Sequence, residues 1–437
     1  MSRSSDALGA DAILDGLRRQ QVMELARGAT FVAALLLAWV SLHPFADLSD
    51  VLLADLTTGN ETLTYAAFGG LAVLVTSVVA RNAAPALKTL LSPGYILFGG
   101  WTLASALLSL DPATSIKRLV LTVSVVAVAA MLMLLPRSAN QLLRWFSIAA
   151  LGLLAICYLG LLLAPDLSIH LATDAQEPAL AGDWRGSFAH KNVAAAVMVM
   201  VLFLGIYIAR AGAWICGAFT VGLALWFLLH AGGKSSLGLG LAVLALTSLA
   251  TVVSSFWLRA VLLLAPLVCL NLLSIGTVMS ETLSGIAQML PLDSSFTGRT
   301  DIWTFATQAA KLRLLTGYGF EAFWGGSSVK GLPEGMEWAA AAANSHNGYL
   351  DTALTMGLPG LALLIVVFVI APLRDFHAAD RCGNNGPLAM ALLRIWLFGV
   401  YLSSLESFYL DRDDPIWFTF LLAVFGLHYL ARFRMRE

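Results

Sequence analysis

The stretch NVAAAVMVMVLFLGIYIA, residues 192–209, lies between Lys191 and Arg210 and contains no charged side chain. A helix that crosses the hydrocarbon core of a bilayer needs about 20 predominantly apolar residues. This stretch therefore predicts a membrane-spanning helix. Similar apolar runs recur on both sides of it, and each predicts a further span. The runs lie near 24–43, 62–80, 93–110, 119–135, 142–164, 192–209, 212–230, 236–256, 257–279, 347–371, 388–405 and 415–431.

The composition of the whole chain indicates the same fold class. The 437 residues are 59% hydrophobic and only 12% charged, whereas a soluble domain usually carries about 25% charged residues. So few charges cannot cover a water-facing surface of this size. We therefore expect an all-α integral membrane protein with about 12 transmembrane helices. The net charge of −1 argues against nucleic acid as a partner.

The distribution of Lys and Arg predicts the orientation. An even number of spans places both termini on one side, and that side holds sixteen of the 26 basic residues but seven of the 27 acidic ones. Cytosolic loops of membrane proteins are enriched in Lys and Arg, so both termini are predicted to be cytosolic. Residues 1–23 lack the apolar segment and cleavage site of a signal peptide and are interpreted as a cytosolic tail.

The spans divide the chain into five regions. After the tail, residues 24–279 hold spans one to nine with an outer loop at 165–191, residues 280–346 form a large periplasmic loop, and residues 347–431 hold spans ten to twelve. A second cytosolic tail follows at 432–437. Spans eight and nine are expected to meet at a short turn around Phe256 and Arg259.

The large loop carries its own structural signals. Thr297 and Asp301 are typical of a helix start, residues 302–315 have helical spacing, and Gly317–Phe320 would end that helix. The loop is also aromatic, which is typical of a lid on the membrane interface or of stacking on sugar rings. These aromatic residues are Trp303, Phe305, Phe320, Phe323, Trp324 and Trp338.

Two segments in the outer loops could bind an anion. Residues 183–192, DWRGSFAHKN, include Arg185 and Lys191 and lead into a helix, whose N-terminus favours anions. Residues 232–236, GGKSS, lack the spacing of a Walker phosphate loop, yet Lys234 and two hydroxyls at a helix start could hold a phosphate group. The alternative for both segments is an ordinary set of interfacial charges.

Two further positions border the large loop. Arg299 lies within it, and His346 lies at the entry to span ten. Because imidazole changes charge near neutral pH, a histidine at this edge is well placed to act as a general base, although a single histidine can equally be structural. Glu406, in the last outer loop, could pair with a basic residue of the site.

No metal site is predicted. The pattern Asp411-Arg412-Asp413 is typical of a metal-bound nucleotide sugar, but such substrates are cytosolic and the chain has no Rossmann-like segment. The cysteines lack metal-type spacing and are interpreted as small hydrophobic residues. They are Cys157, Cys216, Cys269 and Cys382.

Four segments in this order resemble the Wzy/O-antigen ligase superfamily. They are TGRTDIW at 297–303, TGYGF at 316–320, SHNGYL at 345–350 and GLPG at 357–360. The stretch from Gly186 to Asn192 fits the start of the region that the family shares. The resemblance covers about residues 180–410, and within the superfamily the chain most resembles exopolysaccharide polymerases of the ExoQ type.

The resemblance implies a metal-independent, inverting glycosyltransferase of the GT-C type without a cofactor. The donor would be a glycan on undecaprenyl pyrophosphate. The acceptor would be a hydroxyl of another lipid-linked glycan or, in the ligase branch, of a lipid A core. The implied location is the bacterial inner membrane with a periplasmic active site, among membrane lipid and other polysaccharide export and chain-length proteins.

The family pattern also implies roles for individual residues. Its catalytic histidine falls on His346 and its loop arginine on Arg299. Its second pyrophosphate-binding arginine is matched only by Lys234, which is a point charge rather than a bidentate fork. Arg185 and Lys191 would add positive charge around the pyrophosphate. The predicted supporting residues are His190, Asn192, Ser235, Asn347 and Glu406.

Three alternatives remain open. An O-antigen ligase shares the chemistry and differs in the acceptor. A transporter or flippase would carry ionisable residues at mid-bilayer and interrupted helices, whereas the predicted spans are nearly free of charge. A structural scaffold of a polysaccharide machine is the third.

Overall fold

The protein is helical throughout the part that the structure describes. The structure, a computed structural model, describes residues 3–40, 42–49, 61–175, 177–289, 299–324, 342–412 and 414–434. These residues contain no β-strand, although Ile169 and Trp184 form an isolated antiparallel bridge. In chain order the helices are α1 (Arg3–Val40), α2 (Glu61–Asn82), α3 (Ala84–Thr89), α4 (Pro93–Leu107), α5 (Pro112–Leu132), α6 (Ala139–Leu163), α7 (Lys191–Arg210), α8 (Trp214–His230), α9 (Lys234–Ala250), α10 (Phe256–Leu273), α11 (Ile275–Met279), α12 (Glu281–Met289), α13 (Arg299–Leu312), α14 (Gly348–Leu364), the π-helical α15 (Ile365–Ile370), α16 (Ala371–Arg381), α17 (Pro387–Leu402) and α18 (Pro415–Leu430).

Among the described residues, seven helical segments are long and apolar enough to cross a membrane. Large apolar side chains such as Val73, Leu162 and Val261 are exposed on the outside of the helix bundle, which is the surface that lipid covers. The protein is therefore a multi-pass membrane protein. The seven segments are Gln20–Val40, Thr62–Arg81, Pro112–Leu132, Ala139–Leu163, Lys191–Arg210, Phe256–Leu273 and Gly348–Arg381, and shorter apolar helices are Trp214–His230, Lys234–Ala250, Pro387–Leu402 and Pro415–Leu430.

The boundary predicted between spans eight and nine was wrong by several residues. The connection lies at 251–255, and Arg259 is inside α10 rather than in the turn. The helix tolerates this arginine because its guanidinium is paired: it donates to Val253 O at 2.6 Å and to Asp380 Oδ2 at 2.7 Å. At the other end of the chain, residues 3–23, which were predicted as a tail, form the first part of α1.

Helices α7, α17 and α18 form the centre of the bundle. The apolar window of α7 is 72% buried, whereas that of α2 and of α10 is only 17% buried. Several polar side chains in this interior have partners, which a low-dielectric environment favours. For example, Trp39 donates to Thr419 Oγ1 at 2.8 Å, and Tyr401 donates to Leu263 O at 2.7 Å. The packing of this centre thus fixes the positions of the helix ends.

The GLPG motif forms a break in α14. Gly357 has φ 70° and ψ −179°, a conformation that L side chains rarely adopt. A Cβ at this position would lie 2.3 Å from Leu315 O, and Leu358 N donates to Leu314 O at 2.8 Å. The residues that follow α13 therefore pack and hydrogen-bond at this break, and these contacts hold α13 against α14.

The described aromatic residues of the large loop pack mainly on one another. Trp303 and Phe323 are buried in a small hydrophobic cluster with Leu350 and Leu354 of α14. This cluster attaches the loop to the outer end of the bundle, instead of leaving these rings free on the membrane interface. The helix in the loop ends at Leu312, three residues before the predicted end. Thr297, Gly298 and Trp338 lie outside the described residues.

Candidate functional site

His346 is held in a rigid segment at the start of α14. Its neighbours Ser345 and Asn347 are fully buried. Asn347 caps the helix, because its Oδ1 accepts from the backbone N–H groups of Tyr349 and Leu350, both at 3.1 Å. His346 itself has φ 52°. A left-handed conformation at a non-glycine residue costs energy and is often found at functional sites.

The carboxylate of Glu406 connects His346 and Arg299. Its Oε2 lies 3.1 Å from His346 Nδ1, and its Oε1 accepts from Arg299 NH2 at 3.0 Å. The same Oε1 accepts from Asn192 Nδ2 at 3.2 Å. The side chains remain partly accessible, with exposed fractions of 39% for His346, 23% for Glu406 and 19% for Arg299. Residues from four distant parts of the chain thus meet at one open position.

Glu406 determines which nitrogen of His346 can accept a proton. Burial by itself would raise the pKa of Glu406, but the hydrogen bond with His346 and the positive charge of Arg299 outweigh it, so the pKa lies below the usual value. The ionised carboxylate accepts hydrogen bonds only, which requires that Nδ1 of His346 carries the proton. In the neutral imidazole, Nε2 is then the nitrogen that can accept a proton, as in a base oriented by a carboxylate.

Arg299 is positioned by the first turn of α13. Besides Glu406, it donates to the backbone carbonyl of Leu405. Trp303, one turn further along α13, donates from Nε1 to Ser345 O at 2.9 Å. The helix therefore fixes the guanidinium and the segment of His346 together. A guanidinium has five N–H donors, so these contacts leave donors for a bound anion.

The segment before α7 lies on the Asn192 side of Glu406. His190 is the N-cap of α7, since its Nδ1 accepts from Asn192 N at 3.0 Å, while its Nε2 lies 2.5 Å from Glu177 Oε2. Lys191 pairs with Asp183 through its ammonium group. These contacts orient Asn192 towards Glu406 and place one cation beside it in the chain.

Lys234 lies in the same neighbourhood. Gly232, two residues before it, has φ 63°, and a Cβ there would lie 2.7 Å from Asp183 Oδ1. The turn that opens α9 thus packs directly against the Lys191–Asp183 pair. Lys234 and Ser235 are exposed at this turn. The structure therefore brings together Arg299, Lys191, Lys234, Asn192 and His346 at one end of the bundle.

Arg185 is in a different environment from the other predicted cations. Its side chain is 1% exposed and donates to Ala46 O at 2.7 Å and to Phe188 O at 3.2 Å. These contacts tie the loop before α7 to the loop after α1. The geometry favours a structural role for Arg185 over contact with a pyrophosphate.

Replacement of Arg185 by alanine tests this assignment. We expect a loss of roughly 2–4 kcal/mol of stability, because hydrogen bonds from a charged group are lost and buried carbonyls stay unpaired. The measurement is the melting temperature of the purified protein in detergent, with exposed Arg210→Ala as the control. Unchanged melting together with weaker binding of the lipid-linked donor would instead assign Arg185 to the substrate.

The acidic segment in the last outer loop also has defined contacts. Asp414 caps α18, accepting from Ile416 N at 2.6 Å and from Trp417 N at 2.9 Å. Arg412 donates to Glu321 Oε2 at 2.7 Å. Asp413 lies outside the described residues. The described part of this segment therefore has a helix-capping role and an ion pair.

Two polar residues that were not predicted as site residues contact the segment of His346. Asn271 of α10 donates to Ser404 Oγ at 2.9 Å and accepts from Asn347 Nδ2 at 3.3 Å. Asp351 accepts from Ser345 N at 3.1 Å and from Trp324 Nε1 at 2.8 Å. Both brace the segment that carries His346. A single Asn in an apolar run was the available clue to Asn271.

Comparisons with known proteins single out the same region. Residues 190–365 match the family model described as O-antigen ligase. The chain is also 30% identical over 209 residues to the exopolysaccharide production protein ExoQ of Rhizobium meliloti (strain 1021). The aligned region covers 43% of this chain and 45% of that protein. The matched length is thus less than half of the curated relative. The family match includes Asn192, Lys234, Arg299 and His346 but ends before Glu406.

Proposed function

Because this chain belongs, through residues 190–365, to the Wzy/O-antigen ligase superfamily, we propose that it is an inverting glycosyltransferase that polymerises lipid-linked repeat units. The units would be carried on undecaprenyl pyrophosphate, and the product would be exopolysaccharide or O-antigen. One observation carries the proposal: His346 and Arg299 contact the same carboxylate, Glu406, at an open position. A base and a cation are the two groups that this transfer needs.

The base acts on the acceptor. A sugar hydroxyl is a weak nucleophile, and a positioned base contributes roughly 10²–10⁴-fold to its reaction. In the proposed step the hydroxyl proton passes to His346 Nε2 while the acceptor oxygen bonds to the anomeric carbon of the donor. The bond from that carbon to the pyrophosphate oxygen breaks, and the configuration is inverted. Glu406 stabilises the imidazolium that results.

The cations act on the leaving group. Negative charge develops on the lipid pyrophosphate as its bond to the sugar breaks, and donors fixed in a partly dry site stabilise it. Arg299 is held beside His346 and retains free donors, while Lys191 and Lys234 lie towards Asn192. Lys234 can contribute charge but not bidentate geometry. We propose Arg299 as the main pyrophosphate ligand and the lysines as its support.

The proposed topology has 12 spans of the GT-C type, both termini in the cytosol and the site in the periplasm. It rests on the excess of Lys and Arg on one side of the predicted loops. His346, Glu406 and Asn192 all lie at the ends of helices that the same pattern directs outward.

An O-antigen ligase is the second candidate, favoured by the description of the matching family. Deletion of the chromosomal copy in the native bacterium, followed by gel analysis of its glycans, separates the two. Single repeat units without long chains indicate a polymerase, whereas long unattached polymer indicates a ligase. A normal glycan profile would contradict both.

Synthesis in isolated membranes is expected to persist with a chelator, and its loss would contradict metal independence.

A further inference from the structure

A separate cavity lies beside the segment that carries His346. Its volume is about 390 Å³, within the range of roughly 300–1,000 Å³ that is typical of small-molecule sites. Asn344 and Gly348, on either side of His346, line it, and so does Ser407, the residue after Glu406. Asn192, Lys191 and Lys234 do not line it. The cavity is therefore a neighbour of the base, distinct from the group of cations assigned to the pyrophosphate.

Polar groups in the cavity are held in place by one another. Arg412 donates to Glu321 Oε2 at 2.7 Å, and Arg118 donates to the backbone carbonyl of Glu321. Arg118 belongs to α5, whereas Arg412 belongs to the last outer loop, so the contacts join two walls. Glu321 has φ 48°, an unusual conformation for a residue with a side chain. These polar groups are preorganised.

Four aromatic residues also line the cavity. They are Phe320, Phe323, Trp324 and Tyr409. Trp324 donates from Nε1 to Asp351 Oδ1 at 2.8 Å, and Asp351 accepts from Ser345 N, next to His346. One hydrogen-bonded chain therefore links a ring of the cavity with the backbone of Ser345, the residue before the proposed base.

The charges of the lining indicate an uncharged ligand. Two arginines, Arg118 and Arg412, face three acidic residues, Glu321, Asp351 and Asp411. The lining therefore has no excess of positive charge that would attract a phosphate group or the carboxylate of a uronic acid. Aromatic faces together with fixed donors and acceptors suit a ring that carries hydroxyls, which offers both an apolar face and many hydrogen-bonding groups.

We propose that this cavity binds the terminal, uncharged sugar of the acceptor glycan and presents its hydroxyl to His346. The inference rests on the proposed function, since it names the second substrate of the same reaction. The lipid pyrophosphate of the donor occupies the other side, at Arg299 and the lysines. The reacting carbon and the attacking oxygen then meet at the imidazole between the two.

A residue that fills the cavity tests the proposal. Ala343 lines the cavity and is exposed, so Ala343→Trp is expected to fold normally and to occupy the space. The matched control is Leu312→Trp on α13, at a position that is 80% exposed and outside the cavity. With purified protein and synthetic lipid-linked repeat units, Ala343→Trp is expected to raise KM for the acceptor by roughly tenfold. KM for the donor should stay unchanged.

A binding measurement gives an independent readout. Saturation-transfer NMR with maltose, cellobiose and lactose should show contact with the wild-type protein for at least one disaccharide and lose it with Ala343→Trp. Glucuronic acid and glucose 1-phosphate should bind less well.

Arg412→Gln, which removes a charge but little volume, should also raise KM for the acceptor. Preference for the anionic sugars, or an unchanged acceptor KM in both variants, would overturn the proposal.

Different results would contradict the proposed function and the assignment of the cavity. If His346→Ala retains chain extension, the proposed function fails. If chain extension requires His346 while Ala343→Trp and Arg412→Gln leave acceptor KM unchanged, only the assignment of the cavity fails.

Discussion

Replacement of His346 by alanine is expected to lower the rate of chain extension by roughly 10²–10⁴-fold without loss of the fold. The imidazole is partly exposed, and its removal leaves the capping bonds of Asn347 intact. Binding of the donor should persist, because Arg299 and the lysines do not depend on the imidazole. The measurement is the rate of polymer formation by the purified protein in vesicles with lipid-linked repeat units.

The control for this variant is His377→Ala. His377 lies on α16 at the other end of the bundle, where its Nδ1 is 3.2 Å from Arg259 NH1. This variant should polymerise at nearly the rate of the wild type. Near-normal extension by His346→Ala, with a normal melting temperature, would remove the proposed mechanism.

Replacement of Glu406 by glutamine is expected to lower the rate by a factor on the order of 10², although the change is nearly isosteric. A neutral amide no longer requires the proton of His346 to lie on Nδ1, nor does it stabilise the imidazolium. It also weakens the hold on Arg299. Because the base and its carboxylate act as a unit, the double variant with His346→Ala should lose much less rate than the product of the two single losses.

The matched control is Glu281→Gln, at the start of α12. The Glu281 side chain is exposed, and the carboxylate that pairs with His346 and Arg299 is that of Glu406. An equal loss of rate in both glutamine variants would show that a general change in outer-loop charge, and not the orientation of His346, causes the effect.

Stability should depend on pH through the same carboxylate. The pKa of Glu406 is lowered on folding, so its contribution is present above the ordinary carboxyl range and is lost as the pH falls through the lowered value. The melting temperature of the wild type should therefore exceed that of Glu406→Gln near pH 7. The gap should close well below pH ~4.

Much of the site was predictable because its residues belong to local motifs. His346 and Arg299 each lie in a short ordered segment, and the resemblance to the superfamily is confirmed over residues 190–365. Glu406 was expected to pair with a basic residue, but the sequence contains no information on which one. That pairing spans 107 positions between Arg299 and Glu406. Their shared position depends on how α13 and α17 pack.

Arg185 shows the opposite case. In the sequence it resembles Lys191, since both are cations before an apolar helix. Only the tertiary structure separates them, because Arg185 turns inward to Ala46 O while Lys191 pairs with Asp183 beside Gly232. The start of α10 also differs from the prediction, since Arg259 lies inside the helix, where Asp380 pairs with its guanidinium.

The sequence by itself determined that this is a helical membrane protein. Long apolar runs form helices in lipid, because the helix satisfies the hydrogen bonds of every backbone polar group without water. It also determined which segments lie at helix ends and carry reactive side chains. The tertiary structure decided which of these meet: it joined His346, Arg299 and Asn192 through Glu406 and placed a cavity beside the segment that carries His346. Apolar periodicity is a local property of the chain, whereas contact between distant residues depends on the packing of the whole bundle.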